Sequence, residues 1–289
     1  MTEGIVGIIG GSGLYHMDGV TMTEERQVDT PYGPPSDAIR LGHLDTTPVA
    51  FLARHGRRHT ISPSDINFRA NIWALKSLGV EVILAVSAVG SMRAEIVPGH
   101  LVIVDQFIDR TRHRPATFYH DGIAAHVSVA DPICLELAAL LYECRTAVEV
   151  PVHPRGTYLC IEGPMFSTRA ESHLYRSWGV DVIGMTNYQE AILAREAEIC
   201  YATIALATDY DCWKGEACDA ATIITVLQHN VANAQRVLRA AIPHASVRTA
   251  TAAARSALAT AIITRPEDIP SATRRRLAPM LRKYVSIDT

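Results

Sequence analysis

Val80 to Ala88, VEVILAVSA, is the stretch whose reading decides the fold. Its apolar side chains follow one another instead of alternating with polar ones, so a strand here is covered on both faces, as in a sheet with helices on either side. Just before it, Asn67 to Leu78 reads as a helix with Ile72, Leu75 and Leu78 on one face, stopped by Gly79. Just after it, a Pro98-Gly99 turn leads to a strand over Leu101 to Phe107. The same alternation extends both ways. Strands are predicted at Val6 to Ile9, Val49 to Ala53, Gly156 to Ile161, Val180 to Ile183 and Tyr201 to Ala207. Helices are predicted at Leu135 to Tyr142, at Ser167 to Trp178 with Ser167 as N-cap and Glu171 in the first turn, at Gln189 to Glu198 and at Ala220 to Ile242. Strand and helix in alternation make this an α/β chain. With no internal repeat and no interior linker, residues 1–245 read as one domain. Residues 246–289 read as a helical tail, rich in alanine, whose Arg274-Arg275-Arg276 run is a solvated helix face before it is an anion or partner site.

Composition narrows the function. Of 289 residues, 48% are hydrophobic and 20% charged, enough to bury a core and unlike a disordered chain. A net charge of -3 gives no footprint of a dedicated nucleic-acid binder. No run of about 18 apolar residues suits a membrane span, and the N-terminus reads as a strand and turn of the mature fold, not as a leader. The six cysteines include no CxxC pair, so neither a zinc ribbon nor a thioredoxin motif is expected. A reduced cytoplasmic enzyme fits best, although Cys212 and Cys218 stand close enough in sequence to pair.

Ligands in such folds bind where strands end, and five strand ends carry polar residues. Gly10-Gly11-Ser12-Gly13 offers converging amides and a hydroxyl to an anion. Its spacing is neither the Walker loop nor the dinucleotide fingerprint, and the same glycines would serve a plain turn. Arg54-His55-Gly56-Arg57 offers a guanidinium fork, the preferred partner of phosphate oxygens, with an imidazole beside it. Ser87-Ala88-Val89-Gly90-Ser91 is small enough to admit a ligand, or to let strand and helix pack closely. Glu162 to Ser167, with Met185-Thr186-Asn187, sets an aromatic ring and thioethers as a flat apolar wall for a sugar or base, or as ordinary core. The most informative stretch is Ala207 to Trp213. Two carboxylates, Asp209 and Asp211, after a buried strand need a ligand, a metal or a cation. No further His or Asp stands nearby at helical spacing to complete a metal site. A carboxylate can accept from an exocyclic amine, or protonate a ring nitrogen if its pKa is raised.

Together these stretches resemble one family, the S-methyl-5'-thioadenosine phosphorylases of the trimeric purine nucleoside phosphorylase superfamily. The resemblance is carried by GIIGGSGLY at the start, DTPYGPPSD at Asp29 to Asp37, FLARHGRRHTISPSDINFRANIWALKSLGV at Phe51 to Val80, PGHLVIVDQFIDRT at Pro98 to Thr111, IEGPMFSTRAES at Ile161 to Ser172 and AREAEICYATIALATDYDCWK at Ala194 to Lys214. It implies a single-domain α/β fold with a mixed central sheet flanked by helices. It implies that inorganic phosphate, a co-substrate, attacks the anomeric carbon of methylthioadenosine, giving adenine and 5-methylthioribose 1-phosphate with no cofactor and no metal.

By motif position, Ser12, Arg54, His55, Ser87 and Thr186 would hold phosphate, and Ala88, Phe166 and Met185 would line ribose and base. Asp209 and Asp211 would face the purine N7 and 6-amino edge. Breaking the glycosidic bond puts positive charge on the ribose, which phosphate stabilises, and negative charge on the purine, which a proton at N7 stabilises. Asp209 is assigned that catalytic role, and burial beside a second carboxylate would keep a proton on it. A carboxylate accepts from a 6-amino group and repels a 6-oxo group, so the pair favours adenine. This counts against the rival reading, a methylthioinosine or inosine/guanosine phosphorylase. Retained hydroxyls, Arg54, His55 and both acids count against a non-catalytic binding protein on the same scaffold. At the 5' end the resemblance assigns Ser167 and a position in the long helix, Thr222, where the family usually has valine; Thr225 lies one turn on. Those hydroxyls would tolerate a 5'-hydroxyl as well as methylthio. Ser12 stands for the family's common threonine, and Met165 for an arginine often found after Gly-Pro. The family assembles as a homotrimer, in which a neighbour's histidine, matched here by His126, closes the 5' pocket.

Overall fold

The computed structural model describes residues 4–11, 14, 17–215 and 220–287, with side chains in the last stretch from Ile223 onward. Among these the order is β1 (Ile5–Gly10), β2 (Val20–Arg26), β3 (Ile39–Leu44), β4 (Thr47–Ala53), α1 (Phe68–Ser77), β5 (Val80–Ser91), β6 (Leu101–Ile103), β7 (Gln106–Arg110) and α2 (Leu135–Glu143). It continues with β8 (Val152–His153), β9 (Thr157–Ile161), α3 (Arg169–Ser177), β10 (Val182–Gly184), α4 (Asn187–Glu196), β11 (Cys200–Asp209), α5 (Ala220–Arg248), α6 (Ser271–Arg276) and α7 (Ala278–Leu281).

The strands form one mixed sheet in the order β2-β3-β4-β1-β5-β10-β9-β7, with β11, β6 and β8 branching from β5. The branch explains the apolar run that opened the sequence reading. One edge of β5 is parallel to β11 from Val82 to Gly90. The other is parallel to β1 only as far as Ala85, then antiparallel to β10 at Gly90 and Ser91. Every position of β11 from Cys200 to Thr208 is buried, so both of its faces are covered, with α2, α4 and α5 packed against it. This is the mixed α/β sheet flanked by helices that the resemblance implies.

Local signals place most boundaries. Asn67 caps α1 by accepting from the Ala70 amide at 3.1 Å, and Gly79, at φ +86°, ends it. β5 runs on to Ser91 and α5 to Arg248, beyond their expected ends, and two further differences have a local cause. The N-cap of α3 is Thr168, not Ser167, because Thr168 and Glu171 form a reciprocal capping box. The expected strand over Leu101 to Phe107 is two strands, because its backbone changes partners. β6 pairs with β11 and β8, and β7 with β9, while the Asp105 amide turns aside to the Gly156 carbonyl at 3.2 Å.

α5 runs unbroken to Arg248. Beyond it Leu258, Leu277 and Leu281 are fully buried in the same apolar cluster as β1, β5 and β11. Glu198, at the end of α4, accepts from the Leu258 amide (3.0 Å), Lys283 Nζ (3.2 Å) and the Tyr284 hydroxyl. The arginine run is only partly a solvated face. Arg276 donates to Asp121 and to the His120 carbonyl at 2.7 and 2.8 Å, and Arg274 to the Ile269 and Pro266 carbonyls, each at 2.9 Å. No helix among the described residues is long and apolar enough to cross a membrane.

Candidate active site

Between the last residue of β5 paired with β1 and the first paired with β10, Val86 to Val89 have no strand partner on that side among the described residues. A cavity of about 280 Å³ opens along this bare edge. It is an opening at a change of strand neighbours, the usual place for a ligand in such sheets.

At one end stand Arg54 and His55, carried past the end of β4, with Ser87 from β5 and Thr186 at the start of α4. Arg54 is 1% exposed. Its Nε and Nη2 donate to the two oxygens of Glu190 at 2.5 and 2.9 Å, and Nη1 donates to the Val86 carbonyl at 2.9 Å. Burial works against the charge, but Glu190 more than offsets it and holds the guanidinium above its ordinary pKa. Three of its five N–H bonds are thus committed to aiming the group. Glu190 also accepts from the Tyr201 hydroxyl at 2.9 Å and Asn187 Nδ2 at 3.3 Å, so a buried polar network stands behind the anion end. Ser87 Oγ lies 3.3 Å from Thr186 Oγ1 and 3.4 Å from the Tyr158 hydroxyl. Tyr158 in turn requires the glycine at 184, where a Cβ would lie 2.0 Å from its hydroxyl.

His55 Nδ1 is 2.9 Å from the Ile61 carbonyl, which fixes Nδ1 as the donor and leaves Nε2 as an acceptor in the neutral ring. The ring stacks on His59 at 4.4 Å between centroids. Burial, then the Arg54 charge, lower its pKa to about 4. The unfolded chain therefore takes a proton near pH 6.5 that the folded protein resists until about pH 4. This contribution to stability is complete above the unfolded value and is lost as pH falls through the window, about 3 kcal/mol in all. Glu196 runs the other way: burial raises its pKa to about 7, and it favours the folded state as pH drops. Comparing unfolding free energies of the parent and a His55→Gln variant at several pH values isolates His55. Their difference is expected to shrink by about 3 kcal/mol between pH 7 and pH 4, and a constant difference would contradict the assignment.

At the other end β11 delivers Asp209 and Asp211. Asp209 Oδ1 accepts from the Asp211 amide at 2.7 Å, and Oδ2 lies 2.7 Å from the Thr208 hydroxyl. This closed Asx turn holds Asp211 at φ +52°, a conformation aspartate tolerates better than most residues. Burial is the main cause that raises the Asp211 pKa. Phe166, Met185 and Ala88 line the walls between the two ends, and Ile223, Leu227 and Val231 present one face of α5 to the cavity. Met185 is set in place by Arg114, whose Nη1 donates to the Met185 carbonyl at 2.5 Å and whose Nε donates to Glu162 at 3.0 Å. Gly163, at φ +68°, passes so close that a Cβ there would lie 2.5 Å from the Met185 sulfur.

One cavity therefore gathers Arg54, His55, Ser87, Ala88, Phe166, Met185, Thr186, Asp209 and Asp211. Ser167 and His126 do not line it. Ser167 Oγ is buried with no hydrogen-bond partner among the described residues, and the Ser167 carbonyl accepts from Cys212 Sγ at 3.4 Å. His126 is exposed, with its amide bonded to the Ala261 carbonyl at 2.8 Å. Ser12, the Thr222 side chain and the Cys218 half of the suggested cysteine pair fall outside the described residues. Glu190, His59, Tyr158, Thr208 and Arg114 were not singled out from sequence. Of these, His59, inside the long histidine-bearing motif, and Thr208, beside the two aspartates in the most informative stretch, lay within sequence signals that could have drawn attention to them.

Residues 5–243 match the sequence profile of the Phosphorylase superfamily. The S-methyl-5'-thioadenosine phosphorylase of Gloeobacter violaceus is 53% identical over 285 residues, covering 96% of this chain and 95% of the relative. That of Geobacter sulfurreducens is 52% identical, covering 98% and 100%. Among solved structures, a methylthioadenosine phosphorylase sourced from an antarctic soil metagenomic library superposes with a TM-score of 0.91 at 48% identity, covering 96% of this chain and 98% of that one. A methylthioadenosine phosphorylase from Schistosoma mansoni in complex with adenine superposes with a TM-score of 0.79 at 36% identity, covering 83% and 90%. The chain belongs to the phosphorylase superfamily and, within it, to the S-methyl-5'-thioadenosine phosphorylases.

Proposed function

We propose that this enzyme cleaves S-methyl-5'-thioadenosine with inorganic phosphate to give adenine and 5-methylthioribose 1-phosphate, returning purine and the methylthioribose unit to salvage. The observation that carries the reading is the polarity of the cavity, with a guanidinium and hydroxyls at one end and two carboxylates at the other. Phosphate is the co-substrate, and neither cofactor nor metal takes part in this scheme.

Arg54, with two N–H bonds still to give, and the Ser87 and Thr186 hydroxyls suit the charged oxygens of phosphate; Ser12 joins them by motif position. Neutral His55 presents Nε2 as an acceptor, which matches the one P–OH of the HPO4 dianion. The dianion lies under the anomeric carbon and stabilises the cation as the bond to N9 lengthens. Asp209 supplies the proton at N7, and Asp211 accepts from the 6-amino group. Ala88, Phe166 and Met185 hold ribose and base between these ends, and the Schistosoma mansoni relative, solved with adenine, accords with a purine there. The apolar face of Ile223, Leu227 and Val231 suits a methylthio group, with Ser167 and Thr222 adjusting tolerance at that end.

We assign a homotrimer in the cytoplasm. Met165 and Phe166 are 77% and 54% exposed, apolar groups that a neighbouring copy would cover. His126, exposed and outside its own cavity, is placed to serve a neighbour's site. The free thiols of Cys134, Cys144, Cys160, Cys200 and Cys212 accord with a reducing compartment.

The test is release of free base from methylthioadenosine, methylthioinosine, adenosine and inosine, each with and without phosphate. Cleavage of methylthioadenosine only with phosphate is expected. A 6-oxopurine should be disfavoured by about 5- to 150-fold, the equivalent of one buried unpaired polar group. Faster release of hypoxanthine than adenine would overturn the base assignment, and no cleavage at all would overturn the enzyme.

A further inference from the structure

We propose that Thr208 is a positioning residue for proton transfer through Asp209, its hydroxyl turning from the Val89 carbonyl to the Asp209 carboxylate as the proton leaves for the purine. The inference rests on the reaction proposed above.

Its basis is a break in strand register. β11 pairs with β5 as Ala207 to Val89 and then as Asp209 to Gly90, so Thr208 is the extra residue of a bulge, a feature that re-aims side chains beside active sites. The side chain is 3% exposed. Its Oγ1 lies 3.1 Å from the Val89 carbonyl oxygen and 2.7 Å from Asp209 Oδ2. A hydroxyl carries a single proton, so it can donate to only one of these two acceptors at a time. The Asp211 amide holds Oδ1, which prevents the carboxyl from rotating and leaves Oδ2 as the oxygen whose surroundings respond to protonation.

The two positions of the hydroxyl match the two states of the acid. While Asp209 keeps its proton, Oδ2 is a weak acceptor and Thr208 donates to Val89. In the chemical step the C1'–N9 bond breaks with its electron pair passing into the purine, a phosphate oxygen bonds to C1', and the Asp209 proton moves to N7. The carboxylate left behind is a strong acceptor, and Thr208 turns to it. The hydrogen bond is thus strongest where charge has developed, which is the condition for it to raise kcat instead of tightening binding. The Val89 carbonyl gives the hydroxyl its resting partner, so no buried group is stranded in either state.

The experiment compares Thr208→Val and Thr208→Ser with the parent, following adenine release from methylthioadenosine over a range of phosphate concentrations. Thr208→Val is expected to lower kcat by about 10- to 100-fold, the size of one hydrogen bond to a charged group, with the KM for phosphate within about twofold. Thr208→Ser should restore kcat to near the parent. Thr208→Ala, which removes the hydroxyl without adding bulk, carries the same expectation if the valine variant does not fold. An active parent whose valine and alanine variants keep its kcat, or whose serine variant falls as far as they do, overturns the role of Thr208 alone. A parent that does not cleave methylthioadenosine with phosphate overturns the reaction and this role together.

Discussion

Replacing Asp209 by asparagine is expected to lower kcat on methylthioadenosine by about 100- to 10,000-fold, the usual worth of a positioned general acid. The substitution keeps size and shape. The side-chain oxygen can still accept from the Asp211 amide, as Asp209 Oδ1 does at 2.7 Å, and the new amide can still reach Thr208. What it cannot do is give up a proton to N7 when the glycosidic bond breaks. The loss should therefore appear in kcat, with the KM for phosphate little moved, since the anion end is built from Arg54, His55, Ser87 and Thr186. Asp211, the acceptor for the 6-amino group, is untouched, so the variant should keep the preference for methylthioadenosine over methylthioinosine while losing rate on both. Steady-state rates on the two substrates decide the matter. A kcat on methylthioadenosine within about threefold of the parent would remove Asp209 from the leaving-group role.

The second large effect is on stability. Glu190 and Arg54 are each 1% exposed in their side chains and meet through two hydrogen bonds. Removing the charge of one partner leaves the other buried and uncompensated, which costs about 3–5 kcal/mol. Glu190→Gln should fall in this range in denaturant unfolding, and a loss under about 1 kcal/mol would mean that water or an ion reaches Arg54. The surviving protein should also bind phosphate more weakly, because the carboxylate that fixes the plane of the guanidinium is gone. Arg54→Lys does not mimic the pair, since an ammonium cannot meet Glu190 and the Val86 carbonyl in the same plane.

What could be read from sequence divides along a physical line. β5 and β11 were legible because burial on both faces demands apolar residues at every position, and that demand is local. The break between β6 and β7 was not, because the residues on either side are equally apolar. Only the identity of the pairing strand changes, and that is set by distant segments. β2, reading VTMTEER, is mostly exposed and gave no strand pattern at all. Site residues followed the same rule. Arg54, Thr186 and the two aspartates stand at strand ends, and Ser87 lies within β5 just past its pairing with β1, where polar residues after an apolar run ask for an explanation. Glu190 lies inside a helix, where glutamate is ordinarily solvated, and only Arg54, 136 positions away, makes its burial tolerable. Thr208 stood in view beside the two aspartates, but its role was not legible, because a bulge is a property of pairing and leaves no mark on composition.

The bare edge of β5 also bears on how such an enzyme can change its preferences. Val86 to Gly90 line the cavity together, and in the proposed reaction they border phosphate, sugar and base within one short length of backbone. A substitution that shifts this strand displaces all of those contacts at once, and a gain in one subsite is offset by damage in the others. α5, through Ile223, Leu227 and Val231, and the loop that carries Phe166 reach the cavity from outside the sheet. Inherited or laboratory changes in the 5' group or the base should accumulate on that helix and loop, while the strand between them stays as it is.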